Sequence, residues 1–343
     1  MEYLLDIAVF FLKIFIFVVA VLFLVSGLLS LNARDKNRSQ NKLKITSLNE
    51  KFHELADSIA SSALPKKLYK ARLKEEKRQQ KADNQQLKTE TEAKKRVYVI
   101  DFMGDIRASA ANNLRHEITG LLKVARPEDE IVCRLESPGG MVHAYGYAAS
   151  QLARLRARHI PLTVCIDKVA ASGGYLMAAV ANNITAAPYA IIGSIGVVAQ
   201  FPNFNRFLKK HAIDYELLTA GEYKRTVSIL GPNTYKGRKK FIEELETIHQ
   251  QFKDTIMTYR PQINIQEIAT GEHWLAEKAY TLNLVDQLMT SDDYLLRLTE
   301  SCAVYHVKYH NKKSLTDKLS TMTQAVIAAV TNKVQDINHR WWS

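Results

Sequence analysis

The sequence predicts an α/β domain, helices covering a mostly parallel sheet, set behind an N-terminal membrane-spanning helix. Three observations lead there. Residues 14–31 carry no charged side chain, and the apolar run reaches back to Ile7 with Lys13 as its one interruption. From Arg96 onward, short β-branched apolar runs alternate with stretches of helical spacing. Two glycine-bearing turns, Ser137-Pro138-Gly139-Gly140 and Ala171-Ser172-Gly173-Gly174, then follow consecutive strand-like runs.

At about 1.5 Å of rise per residue, the first apolar run is long enough to cross a hydrocarbon core. Glu2 and Asp6 stand where a cleaved signal peptide would be basic, and no small-x-small cleavage site follows Leu31. Residues 7–31 are therefore expected to be a retained anchor after a short tail, 1–6. Residues 32–95 form a basic linker: from Asn32 to Arg96 there are 18 Lys/Arg against 9 Asp/Glu, most of the chain's net charge of +12. Aromatic residues are not interleaved there, which argues against stacking on nucleic-acid bases and for attraction to anionic lipid headgroups. Within the linker, Leu48, Phe52, Leu55, Ile59 and Leu64 have helical spacing, Thr46 or Ser47 can cap the start, and Pro65 ends the helix.

In the body, strands are expected at 97–103, 131–135, 160–166, 184–187 and 213–219, with strand or turn at 191–198. Helices are expected at 108–124, 141–158, 173–180, 235–259 and near Asp292. Cys133 and Cys165 fall inside strand runs and read as small buried hydrophobes, and three cysteines so far apart form neither a disulfide framework nor a zinc site. The segment 301–343 is expected to add a strand and an amphipathic helix built on Leu319, Met322, Ala325, Val326, Ala329 and Val330.

Sites in open α/β sheets form where strands end at their carboxyl edge, and both glycine turns lie at such ends. Ser172, between small residues at a strand-to-helix turn, can present its hydroxyl without steric cover. The Gly173 N–H would open a helix, where the macrodipole favours negative charge, and a second N–H from Gly139 or Gly140 would complete an oxyanion hole. A serine hydroxyl needs a base. Histidines 143, 159, 211, 249 and 273 lie in the body, His143 just past Gly140, and none sits beside a telling carboxylate. Lysine is the alternative, since desolvation can lower its pKa from about 10.4 towards neutrality. The candidate is Lys224, in Gly221-Glu222-Tyr223-Lys224-Arg225.

These segments, with Gly193-Ser194-Ile195-Gly196-Val197, Thr270-Gly271-Glu272-His273-Trp274 and Leu284-Val285-Asp286, resemble the signal peptide peptidase A type of serine peptidases, in the same order. The resemblance runs from the anchor to about Leu298. It implies a Clp protease/crotonase-like core over 96–300 and a Ser/Lys dyad, Ser172 matching the nucleophile and Lys224 the general base. It further implies Ser194 near the site, no metal or cofactor, peptide or unfolded substrates near the membrane such as signal-peptide remnants, and a homo-oligomer in which neighbours complete the dyad. Two rivals use the same residues: a crotonase-like acyl-thioester hydrolase, and a non-catalytic membrane scaffold. Arg34, Lys36, Arg38, Lys42 and Lys44 after the anchor would place the body in the cytoplasm by the positive-inside rule. The resemblance points instead to the periplasmic face of a bacterial inner membrane, and that face is the expectation taken forward.

Overall fold

The computed structural model describes residues 42–75, 78 and 95–310, and residues 43–309 form one compact unit. The expected anchor at 7–31 and the amphipathic helix after residue 315 lie outside the described residues. Among the described residues no helix is long and apolar enough to cross a membrane.

In chain order the elements are β1 (Lys42–Ser47), α1 (Leu48–Ala63), β2 (Arg96–Met103), α2 (Ala111–Val124), β3 (Glu130–Glu136), α3 (Val142–Arg156), β4 (Leu162–Ile166), β5 (Val169–Ala171) and α4 (Gly173–Ala179). There follow β6 (Asn183–Ala186), β7 (Ile191–Gly193), α5 (Asn205–Lys210), α6 (Tyr235–Tyr259), α7 (Ile265–Ile268), β8 (His273–Leu275), α8 (Ala276–Thr281), β9 (Gln287–Leu288), α9 (Ser291–Ser301) and β10 (Ala303–His310). Ser47 caps α1 by accepting the Glu50 N–H at 3.3 Å, and Pro65 separates α1 from helical residues 66–75.

Seven strands form one sheet in the order β1-β10-β2-β3-β4-β6-β9, parallel at every pairing from β10 to β9. Strands covered on both faces read as continuous apolar runs, as β2, β3 and β4 do. Period-two alternation divides their side chains. Tyr98, Ile100 and Phe102 enter the core under α2, α3 and α4, while Val97 and Val99 pack on the other face with Leu295 of α9 and Leu48 of α1. Cys133 and Cys165 are buried and unpaired, and burial pushes both thiols up. A second, three-stranded sheet joins β5, β7 and β8, with β5 and β7 parallel and β7 and β8 antiparallel.

Three expectations change. Residues 42–47, expected within the basic linker, form β1 at the edge of the large sheet beside β10. Residues 213–219 form no strand. Their alternation, Ile213, Tyr215 and Leu217, matches a strand template, but among the described residues no partner strand satisfies the backbone there and all three side chains are exposed. The segment 160–186 holds an additional strand, β5, so Ser172 follows the small sheet rather than β4.

Candidate active site

Ser172 links β5 to α4 with φ +51° and ψ −121°, a conformation that non-glycine residues rarely adopt. The surrounding chain holds it there. Its N–H donates to the Gly193 carbonyl of β7 at 2.8 Å, and its own carbonyl accepts the Leu176 N–H at 3.0 Å, which opens α4.

The second glycine turn reaches Ser172 because Ser137 bridges to β5. The Ser137 N–H donates to Val169 O at 2.8 Å, and Ser137 O accepts the Ala171 N–H at 3.0 Å. Turns 35 positions apart in the chain (137 to 172) therefore lie side by side. Gly139 has φ +90°, and a Cβ added there would stand 2.8 Å from Ser172 Cβ, so only glycine fits. A Cβ on Gly173 would stand 2.4 Å from Cγ of Tyr145, the ring beneath the turn. The Gly139 N–H donates to Ser137 Oγ at 3.1 Å. Among the described residues the N–H groups of Gly140 and Gly173 donate to no protein acceptor.

Ser172, Gly139, Gly140, Gly173 and Ser194 all line one cavity of 1060 Å³. Ser194 also has positive φ, +53°, and its N–H donates to Glu272 O at 2.6 Å, so it shapes the turn after β7. Beyond Ser172 the cavity runs between α3, α4 and α6 past Ala149, Ala153, Leu176, Val180, Phe252 and Tyr259. From Ser172 to Val180 the helical rise is about 12 Å. Arg156 ties two of these wall residues together: it donates to Val180 O at 3.1 Å and lies 5.7 Å from the centre of the Tyr259 ring.

Lys224 is not brought to the other predicted residues. It is exposed and does not line the cavity. Its N–H closes a turn on Gly221 O at 3.2 Å, and the neighbouring Tyr223 ring lies 5.9 Å from Lys236 Nζ and 5.5 Å from Lys240 Nζ. Of the five histidines, His143 and His249 line the cavity, and neither is hydrogen-bonded to Ser172 among the described residues.

Sequence reasoning missed the walls and the support. The wall residues of α6 lie some 80 positions after Ser172, and only their helical spacing marks them as one face. Tyr145 lies on α3 fully buried, its hydroxyl donating to Asp105 O at 2.8 Å and contacting Ser137 Oγ at 2.6 Å. Burial raises its phenol above the usual range.

Comparison with known proteins gives the family. Residues 2–152 match the model "Peptidase family S49 N-terminal" and residues 154–305 the model "Peptidase family S49". The chain belongs to peptidase family S49. It is 47% identical over 324 residues to "Probable protease SohB" of Haemophilus influenzae, covering 92% of each chain. It is 42% identical to the protein of the same name from Buchnera aphidicola subsp. Schlechtendalia chinensis, over 86% of this chain and 99% of that one. "Protease 4" of Haemophilus influenzae is 27% identical over 50% of this S49 chain and 28% of its own length.

Proposed function

We propose that the chain is a membrane-anchored serine endopeptidase in which Ser172 is the nucleophile and Lys224 of a neighbouring subunit is the general base. The observation that carries this reading is the strained Ser172 turn lying against Gly139 and Gly140 in one cavity. Neutral Lys224 takes the Ser172 Oγ proton as Oγ attacks the scissile carbonyl carbon. The oxyanion is held by the N–H groups of Gly173 and Gly140, since that of Gly139 is engaged by Ser137. Lys224 then protonates the leaving amine, and water, deprotonated by the same lysine, releases the acyl group. The reaction calls for no metal or cofactor.

Completion of the dyad by a neighbour is supported by where Lys224 lies. Its arm, 197–234, leaves Phe204, Phe207, Ile213 and Leu218 exposed, and α5 buries no residue, which is unfavourable unless a second copy covers them. The parallel sheet with a small second sheet bearing the nucleophile supports a Clp protease/crotonase-like core. The apolar slot past Leu176 and Phe252 suits peptides with small or apolar side chains, as in signal-peptide remnants. The uncharged run 14–31 supports anchoring in a bacterial inner membrane; the periplasmic placement of the peptidase body rests on the family resemblance, against the basic stretch after the anchor, which by itself favours the cytoplasmic side.

The test is peptide hydrolysis and fluorophosphonate labelling by the full chain. Ser172→Ala should lose both label and hydrolysis, and Lys224→Ala should lose hydrolysis. Full peptidase activity in either variant contradicts the dyad.

A further inference from the structure

We propose that Ser137 and Tyr145 are positioning residues that orient the two oxyanion-binding N–H groups, through one buried hydroxyl relay beneath both glycine turns. The proposal rests on Ser172 being the nucleophile.

The relay can be read proton by proton. Tyr145 Oη meets a carbonyl, Asp105 O, at 2.8 Å, and a carbonyl only accepts, so the phenol proton is committed there. The 2.6 Å contact between Tyr145 Oη and Ser137 Oγ must then be filled by the Ser137 proton. Ser137 Oγ is left with lone pairs only, and one of them accepts the Gly139 N–H at 3.1 Å. Donation therefore runs from Gly139 N–H to Ser137, from Ser137 to Tyr145, and from Tyr145 to Asp105. With the Gly139 N–H turned inward, the next N–H along the loop, that of Gly140, is the one left for the cavity.

Both ends of the turn are tied to the segment after β2. Ser137 is linked through Tyr145 to Asp105 O, and the Met141 N–H donates to Ile106 O at 2.8 Å. The Asp105 carboxylate in turn accepts the N–H groups of Arg107 and Ser109 at 3.1 and 2.8 Å. The ring of Tyr145 also lies under Gly173, as the 2.4 Å approach of an added Cβ shows, so one side chain supports both N–H donors. Ser137 and Tyr145 are each 0% exposed. Two hydroxyls buried this deeply are costly unless hydrogen-bonded, and here every proton is used.

Tyr145→Phe keeps the ring under Gly173 and removes only the hydroxyl; Ser137→Ala removes the acceptor of Gly139, and Ser137→Thr restores it. In the full chain we expect Tyr145→Phe and Ser137→Ala to lower kcat and the rate of fluorophosphonate labelling of Ser172 by about 10-fold or more. This is less than outright loss of a donor, which costs about 10²–10³. KM should stay within about 2-fold, affinity for a peptide boronic acid should fall by the same factor as kcat, and Ser137→Thr should recover most of the rate. Lowered urea midpoints with parental labelling rates in Tyr145→Phe and Ser137→Ala would show a purely structural pair and overturn the inference. So would a rise in KM at constant kcat. Parent protein whose Ser172 takes no label overturns the nucleophile reading and this inference together, whereas labelled parent with unaffected variants overturns this inference alone.

Discussion

Replacing Gly173 by alanine should damage stability and chemistry together. The added methyl would stand 2.4 Å from Cγ, 2.7 Å from Cβ and 2.9 Å from Cδ1 of Tyr145. Ordinary carbon contacts lie at about 3.5–4.0 Å, so roughly 1 Å of overlap must be relieved. The ring cannot yield easily, because it is fully buried and its hydroxyl is tied to Asp105 and Ser137. Overpacking of this kind costs about 1–3 kcal/mol. If α4 moves instead, the Gly173 N–H leaves the proposed oxyanion position, at about 10²–10³ in rate. Gly146→Ala is the matched control on α3. An added Cβ there meets nothing within 4 Å, so the helix should gain about 0.5–1 kcal/mol. Urea unfolding and the rate of fluorophosphonate labelling of Ser172 read the two effects. Gly173→Ala with parental stability and a parental labelling rate would refute the packing of Tyr145 against the Ser172 turn.

Glu117 of α2 gives a stability signature in pH. It is 3% exposed, Oε1 accepts the Tyr309 N–H at 2.7 Å, Oε2 has no partner among the described residues, and burial pushes its pKa up to about 7 from 4.5. Below pH 4.5 both states are protonated and its full stabilising share is present. That share is lost as pH rises through 7, by up to about 3 kcal/mol. Glu117→Gln should flatten this slope in urea midpoints taken at pH 5 and pH 8, and an unchanged slope would contradict the assignment. Asp286 receives both terminal nitrogens of Arg260 at 2.8 Å, and Arg260 is 2% exposed. Asp286→Ala leaves that buried charge without its carboxylate, with only the Asn283 carbonyl still accepting from it at 2.9 Å, and removes the acceptor of the Ile184 N–H, so urea unfolding should show a loss of about 3–5 kcal/mol. A loss below about 1 kcal/mol would show the pair to be dispensable.

Where local pattern and tertiary need coincide, sequence and structure agree closely. The long helix expected at 235–259 is α6, the strand at 97–103 is β2 within a residue, and Gly173 opens α4. Both glycine turns were legible because a strand-to-helix turn demands glycine for its own backbone. What local pattern does not carry was lost. β1, Lys-Leu-Lys-Ile-Thr-Ser, reads as basic linker because its place in the sheet comes from β10, some 260 positions later. The alternation at 213–219 matched a strand with no neighbour to pair with. Tyr145 gives no signal of its own: eight residues past Ser137, it looks like another core aromatic until the fold brings it under both turns. Lys224 is a candidate only as part of a family motif, and nothing in its exposed loop marks it as a base.

Mixing two inactive variants tests the central claim most directly. Ser172→Ala chains keep the lysine and Lys224→Ala chains keep the serine, so a shared site is rebuilt only across a subunit boundary. Equimolar unfolding and reassembly of the two, assayed by peptide hydrolysis, should recover about a quarter of parental activity if neighbours combine at random. Each variant alone should stay inactive. A mixture that assembles fully and remains inactive, while parent treated in the same way recovers, would contradict a dyad made between neighbours.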